Sequence, residues 1–162
     1  MSYCTINSIL DGDGGKPLLK KLILSGATFV NEAEALMQIE TSFLSFLDVS
    51  HSSLQRFCFL PNMKALKHLD ISFSMMGDDL VEHVACIGAN LSNLNLSNTR
   101  VSSAGVGILA GHLPNLKILS LSGTPIDDVA VSYISMMPSV KVVDLSNTNV
   151  RGTYYSMHFS FN

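Results

Sequence analysis

The side chains best suited to chemistry are the acid pair Asp48 and Asp70, with His51 and His68 nearby in sequence. Two carboxylates held side by side can share general acid–base work, because repulsion splits their protonation. Such an acid pair also needs a pocket, a nucleophile or a third partner, and none is evident here. The five histidines show no H-E-x-x-H or related ligand spacing, and two imidazoles alone make a weak metal site. Asp11-Gly-Asp13-Gly-Gly15 is calcium-loop-like at its start only, since Leu22 stands where the closing acid is needed, so a flexible turn is expected. Lys16 is followed by Pro17, which rules out a phosphate-binding G-x-x-x-x-G-K-[ST] loop. No enzyme activity, metal or cofactor is expected.

Composition excludes further classes. Hydrophobic residues make up 47% of the 162 and charged residues 14%, unlike a disordered chain. A formal net charge of −3 gives no general attraction to nucleic acid or to anionic lipid. No apolar run reaches the roughly 18 residues of a membrane-spanning helix, and the stretch around Phe57–Leu60 is broken by Pro61. Cys4, Cys58 and Cys86 are odd in number and far apart, which points to a reducing compartment rather than a disulfide framework. The first residues lack the basic and apolar regions of a secretory signal, so a cytoplasmic location is expected. Asn90-Leu-Ser92 and Asn95-Leu-Ser97 match glycosylation sequons, and chance is the better account of them.

The elements that must position these residues come from a repeat. Leu91-Ser-Asn-Leu-Asn-Leu-Ser-Asn-Thr-Arg-Val101 and Leu116-Lys-Ile-Leu-Ser-Leu-Ser-Gly-Thr-Pro-Ile126 share L-x-x-L-x-L-S-x-T-x-[VI]. Matching stretches start at Leu19, Leu44, Leu66 and Val140, so six motifs recur with periods of 25, 22, 25, 25 and 24 residues. Serine holds the seventh place each time: Ser25, Ser50, Ser72, Ser97, Ser122 and Ser146. A period of 20–29 residues marks stacked units that cannot bury an apolar face alone. Each motif is expected to form a short strand whose first, fourth and sixth residues point inward, with Leu69, Leu94, Leu119 and Val143 inside.

The segments between motifs are expected to return as helices. Leu80, Val84 and Ile87 fall on one helical face, with Asp78 or Asp79 as cap. Ser102 or Ser103 and Asp127 stand at comparable starts, and Asn31 with Glu34 forms a capping-box-like pair. Pro114 and Pro138 fall where helices should have stopped. The second unit is short and holds Pro61, so its return is expected to be irregular. Met37, Met63, Met136 and Met137 read as core filler, and of Met75 and Met76 only the latter fits a buried place.

Third, fifth and seventh side chains are then expected to point outward, in columns about 4.8 Å apart. The third-place column is Lys21, Phe46, His68, Asn93, Ile118 and Val142. The fifth-place column is Ile23, Asp48, Asp70, Asn95, Ser120 and Asp144. These twelve residues are the candidate partner-binding surface. Phe46 is the candidate aromatic anchor, Asp48 and Asp70 candidate acceptors for a basic side chain, and His68 a candidate pH-responsive group. The bland alternative is that most of them are simply solvated.

The six motifs, over about residues 19–150, resemble the leucine-rich-repeat family. The Ser-x-Thr-x-[VI] continuation looks like intracellular subtypes found in plant proteins, F-box-associated repeats and bacterial effectors. The resemblance implies an α/β horseshoe solenoid of about six repeats, with a parallel concave sheet and convex helices, used for protein recognition. The asparagine usual after the strand is replaced by Ala27, Ser52, Ser74, Thr99, Thr124 and Thr148, and a hydroxyl can still bond the loop backbone at five of these. Residues 1–18 read as an N-terminal cap or the remnant of a preceding repeat, and 151–162 as a tail. In that tail Met157, Phe159 and Phe161 alternate as an extra strand would, and an uncapped edge invites self-association. A truncated product of a longer protein is the expected explanation. The functional expectation is a non-catalytic protein-binding scaffold. The alternatives are a fragment of a receptor-type ectodomain that binds an extracellular ligand, or a truncated chain without independent activity.

Overall fold

The computed structural model describes residues 5–6, 19–29, 36 and 41–152. Eight short strands appear among them: β1 (Thr5–Ile6), β2 (Lys21–Ile23), β3 (Thr28–Phe29), β4 (Phe46–Asp48), β5 (His68–Asp70), β6 (Asn93–Asn95), β7 (Ile118–Ser120) and β8 (Val142–Asp144). Six of them form one parallel sheet in the order β2-β4-β5-β6-β7-β8. Each is the third to fifth place of one sequence motif. β1 pairs in parallel with β3 as a separate two-stranded sheet. The chain is thus an α/β leucine-rich-repeat solenoid.

Register follows the leucines. Leu22, Leu47, Leu69, Leu94, Leu119 and Val143 stand opposite one another along the sheet. A slip of one residue would turn each from the interior to solvent, so one buried face fixes the pairing. In the four middle units the first, fourth and sixth residues are all buried, from Leu44, Leu47 and Val49 to Leu116, Leu119 and Leu121. Leu19, Leu22, Leu24, Val140, Val143 and Leu145, in the two outermost units, are only half-buried. The eleventh-place residues Leu54, Met76, Val101 and Ile126 close the same core.

The five hydroxyls in the place of the family's asparagine all bond the local backbone. Ser52, Thr99, Thr124 and Thr148 donate to the carbonyls of Val49, Leu96, Leu121 and Leu145 at 2.5–2.7 Å. Ser74 instead accepts from the Met76 N–H at 3.3 Å. Ala27 has no such group, and its N–H donates to the Leu24 carbonyl.

The convex side is less regular than the strands. Helices α1 (Val81–Ala85), α2 (Ser103–Ala110) and α3 (Asp128–Ser135) follow β5, β6 and β7 and stack side by side. Ser102 and Asp127 cap α2 and α3, accepting from the N–H groups of Ala104 and Val129. The second unit has a single 3-10 turn, Leu60–Asn62, where a helix was expected to be difficult. Phe57, Phe59, Leu60 and Met63, all buried, fill that space instead. The Asn31–Glu34 capping pair, Met37 and the alternating tail residues lie outside the described residues.

Three expectations need correction. Neither Asp78 nor Asp79 caps α1, which starts after Leu80 without a side-chain cap. Asp78 reaches forward into the next unit instead: the Ser102 N–H donates to its Oδ1 at 2.8 Å and the Ser102 hydroxyl to its Oδ2. Leu80 is half-buried and Val81 takes the buried place beside Val84 and Ile87. Met136 is 66% exposed rather than core, because it follows the last turn of α3, whereas Met137 next to it turns in.

Asp78 leaves no room for a side chain opposite it. A Cβ at Gly105, inside α2, would collide with Asp78 Oδ1 and meet Val101 Cγ1 at 3.1 Å. Alanine usually gains about 1 kcal/mol over glycine within a helix. Here overpacking against a fixed brace, about 1–3 kcal/mol, outweighs that gain. Gly105→Ala should therefore lower stability by about 1 kcal/mol in urea melts, and Gly105→Ala with Asp78→Ala should lose less than the two single changes added.

Candidate functional site

All twelve candidate residues fall on the outer face of the six-stranded sheet, in two columns. The third-place column runs Lys21–Phe46–His68–Asn93–Ile118–Val142 and the fifth-place column Ile23–Asp48–Asp70–Asn95–Ser120–Asp144, each in register from β2 to β8. Pleating explains this: a strand that buries its fourth residue must show its third and fifth on the opposite face. Apolar groups remain open to solvent at both ends, with Ile23 and Val142 each 54% exposed and Ile118 40%.

The middle of the face is organised by contacts within it. The Phe46 ring lies 5.8 Å from that of His68, tilted by 31°, and Lys21 Nζ sits 4.5 Å from the Phe46 centroid. That cation–π contact covers one side of Phe46. A shallow hollow of about 280 Å³ runs between Phe46 and Ile118, with Leu69 and Leu94 at its base and His68, Asp70, Asn93, Asn95 and Ser120 around it.

The carboxylates hold the strand ends. Asp48 Oδ1 accepts from the Ser50 N–H at 3.0 Å and its hydroxyl at 2.6 Å. Asp70 Oδ1 does the same with Ser72, at 2.9 and 2.6 Å, and its Oδ2 accepts from Asn95 Nδ2 at 2.9 Å. Asn95 Oδ1 in turn accepts from the Ser97 N–H at 3.1 Å. A fifth-place carbonyl group thus folds back on the seventh-place backbone and clamps the turn. Asp48 and Asp70 are opposite in register, yet each is tied to its own serine, and Asp70 has both oxygens engaged. Among the described residues no group of three His, Cys, Asp or Glu is placed to hold a metal ion. The Asn95 amide is committed to this network.

The seventh-place serines do not form the expected outward column. Ser50 and Ser72 are buried, Ser97 and Ser122 half-buried, and only Ser25 and Ser146 are exposed. The strand ends at the fifth residue, so outward alternation ends there too.

The eighth place was missed. Gly26, His51, Phe73, Asn98, Gly123 and Asn147 all have φ between 53° and 71°. The left-handed turn lets each of the first five point its N–H at the seventh-place carbonyl of the following unit, at 2.7–3.0 Å. Glycine and asparagine in four of the six places were a legible signal for it. His51 and Phe73 adopt it at a steric cost of about 1–2 kcal/mol each. Their rings stack, 4.1 Å apart and 14° from parallel.

Two outcomes follow from the clamps. Asp70→Ala should cost about 2 kcal/mol, because three donors to a charged acceptor lose their partner in a half-buried place. The same change at exposed Asp144 should cost less, as water replaces the carboxylate; both are read from denaturant melts. The Ser146 N–H, and after it the Ser146 hydroxyl, hold the Asp144 carboxyl below its ordinary value near 3.8, against a small opposing effect of burial. A lowered folded-state pKa means that the unfolded chain takes up the proton first as pH falls. The contribution of Asp144 is therefore full above the ordinary value and fades as pH drops through the folded one. Asp144→Asn should flatten that part of the acid stability profile.

Comparisons with known proteins agree with this geometry. Residues 89–133 match the family described as leucine rich repeats (2 copies). Toll-like receptor 2 type-2 of Gallus gallus is 32% identical over 92 residues, 55% of this chain and 12% of that protein. The acidic leucine-rich nuclear phosphoprotein 32-related protein 2 of Caenorhabditis elegans is 34% identical over 90 residues, 52% of this chain and 40% of that protein. The chain thus spans less than half the length of either relative. Among solved structures, an internalin of Listeria monocytogenes superposes with a TM-score of 0.67 at 19% identity, over 80% of this chain and 35% of the other. Internalin C2 of the same organism gives 0.59 at 16% identity, over 84% and 65%. At such identities the structural likeness speaks to fold alone. The match over residues 89–133 and the two sequence relatives support a leucine-rich-repeat family for this chain.

Proposed function

We propose that this chain is a non-catalytic scaffold that recognises a protein partner on the outer face of its six-stranded sheet. The observation that carries the reading is the unbroken outer column from Phe46 to Val142, with the hollow between Phe46 and Ile118 and uncovered apolar groups at Ile23, Ile118 and Val142. Aromatic and aliphatic groups beside polar ones are what a buried interface centre uses. The acid pair is better read as structure than as catalysis, since its oxygens serve the turn clamps. The overall negative charge disfavours a nucleic-acid partner, and no helix among the described residues is long and apolar enough to cross a membrane. A role as an adaptor in the cytoplasm, of the kind associated with plant and F-box-associated repeats, belongs to the same proposal. The exposed free thiols of Cys58 and Cys86 suit a reducing compartment.

A second reading, a segment of a receptor-type ectodomain, draws on the likeness to the Gallus gallus receptor. Recovery of specific partners only from extracellular fractions would favour it.

Asp70 should be left intact in any test, because its loss would loosen the clamps as well as the surface. Phe46→Ala with Ile118→Glu removes one wall of the hollow and charges the other, with little change to the core. Cross-linking followed by affinity capture should recover specific partners with the parent chain and at least about tenfold less with the double variant. Undiminished recovery of every specific partner would place recognition elsewhere.

A further inference from the structure

The rim formed by the turns after β4–β7 carries features that the sheet face does not explain. Four of the six left-handed turns use glycine or asparagine, which adopt that backbone readily. The second and third units instead place His51 and Phe73 there, side by side and stacked. Bulky side chains kept in an unfavourable backbone region call for a reason outside the fold, because Gly or Asn would make the same turn with less strain.

The surroundings say what such a pair could meet. Phe73 is 50% exposed and Met75, two residues on, 51%. Beyond Phe73 the column drops to Asn98 and then Gly123, where a Cβ would meet Asn98 Oδ1 at 2.5 Å. The result is a step, an aromatic wall above a low amide floor, that opens a hollow of about 550 Å³ bordered also by Met75 and Arg100. Arg100 is exposed, and among the described residues nothing pairs with its guanidinium. Its N–H is held by the Met76 carbonyl at 2.8 Å, which fixes the base of the side chain beside the hollow. Asp79 lies across Gly77 from it and makes no ion pair with it. A flat ring face, a thioether and an arginine side chain border one open space.

We propose that this rim is a second recognition surface, which takes an acidic protein segment carrying an aromatic side chain next to a carboxylate. The aromatic ring would lie on Phe73 over Asn98 and Gly123, with Met75 at its edge. The carboxylate would pair with Arg100, whose planar fork suits two-point contact. Aromatic residues and arginine are also the side chains that most often dominate binding energy.

A displayed random peptide library panned against the whole chain tests this. The expected result is an enriched set with an aromatic residue next to Asp or Glu. Its binding should fall at least about tenfold on Phe73→Gly, which keeps the turn and removes the ring. It should stay within about twofold on Ile118→Glu, which alters the sheet face alone. Panning the Arg100→Glu variant should turn the consensus toward Lys or Arg beside the aromatic. Lack of an enriched set, a basic or purely aliphatic consensus on the parent chain, or binding lost on Ile118→Glu but kept on Phe73→Gly would overturn the proposal. Since the two variants lie on different surfaces, failure here leaves the reading of the sheet face standing.

Discussion

The structure rests on each unit finishing its hydrogen bonding and its apolar burial on the unit beside it. A strand of three residues has no stability of its own. In this chain the ladder is extended at both ends of each of the four middle strands, β4–β7. The N–H groups of the second- or third-place residues reach back to the previous unit, as from Lys67 and His68 to Ser45, while sixth- and eighth-place N–H groups reach forward, as from Ile71 to Asn95 and Phe73 to Ser97. Five or more residues are thereby tied for each three that count as strand. The common register of the strands is what makes this work, since each donor must find its acceptor at the same height in the neighbour.

The side-chain clamps extend the same dependence. Asp70 binds Ser72 in its own unit and Asn95 in the next, so one carboxylate fixes a turn and joins two units. On the convex side Asp78 takes Ser102, Ser103 and Asp127 bond each other, and Asp128 accepts from the N–H groups of Arg151 and Gly152. Carboxylates that looked like candidates for chemistry or partner binding are thus spent in part on internal acceptor work. The outward surface not engaged in these bonds is correspondingly more apolar and aromatic than the bare list of outward residues implies.

Burial is greatest in the middle and least at the two ends, as a one-dimensional stack requires. Leu47, Leu69, Leu94 and Leu119 have neighbours on both sides and are at most 2% exposed, whereas among the described residues Leu22 and Val143 have a strand on one side only. The sheet face and the rim then present different chemistry on one rigid support. The first is a broad column with a shallow hollow, and the second a single aromatic step beside a cation.

The sequence by itself determined the six strands of the main sheet, their order and the identity of the two outward columns, but not the small β1–β3 pair. It could do so because the motif recurs at nearly constant spacing and each inward leucine fixes the facing of its neighbours. It also narrowed the helix starts to Ser102 or Ser103 and to Asp127, and identified the irregular second return and the hydroxyls at the asparagine place, since these depend on local backbone bonds. Only the tertiary structure decided what the aspartates bind, because Asp70 meets Asn95 through a separation of 25 residues and Asp78 meets Ser102 through 24. It likewise broke up the seventh-place column, burying Ser50 and Ser72 while Ser25 and Ser146 stay exposed, since outward alternation lasts only as long as the strand. The stack of His51 on Phe73 was hidden for the same reason: two residues in successive turns touch only when the units that carry them are laid side by side, with both backbones in the left-handed region.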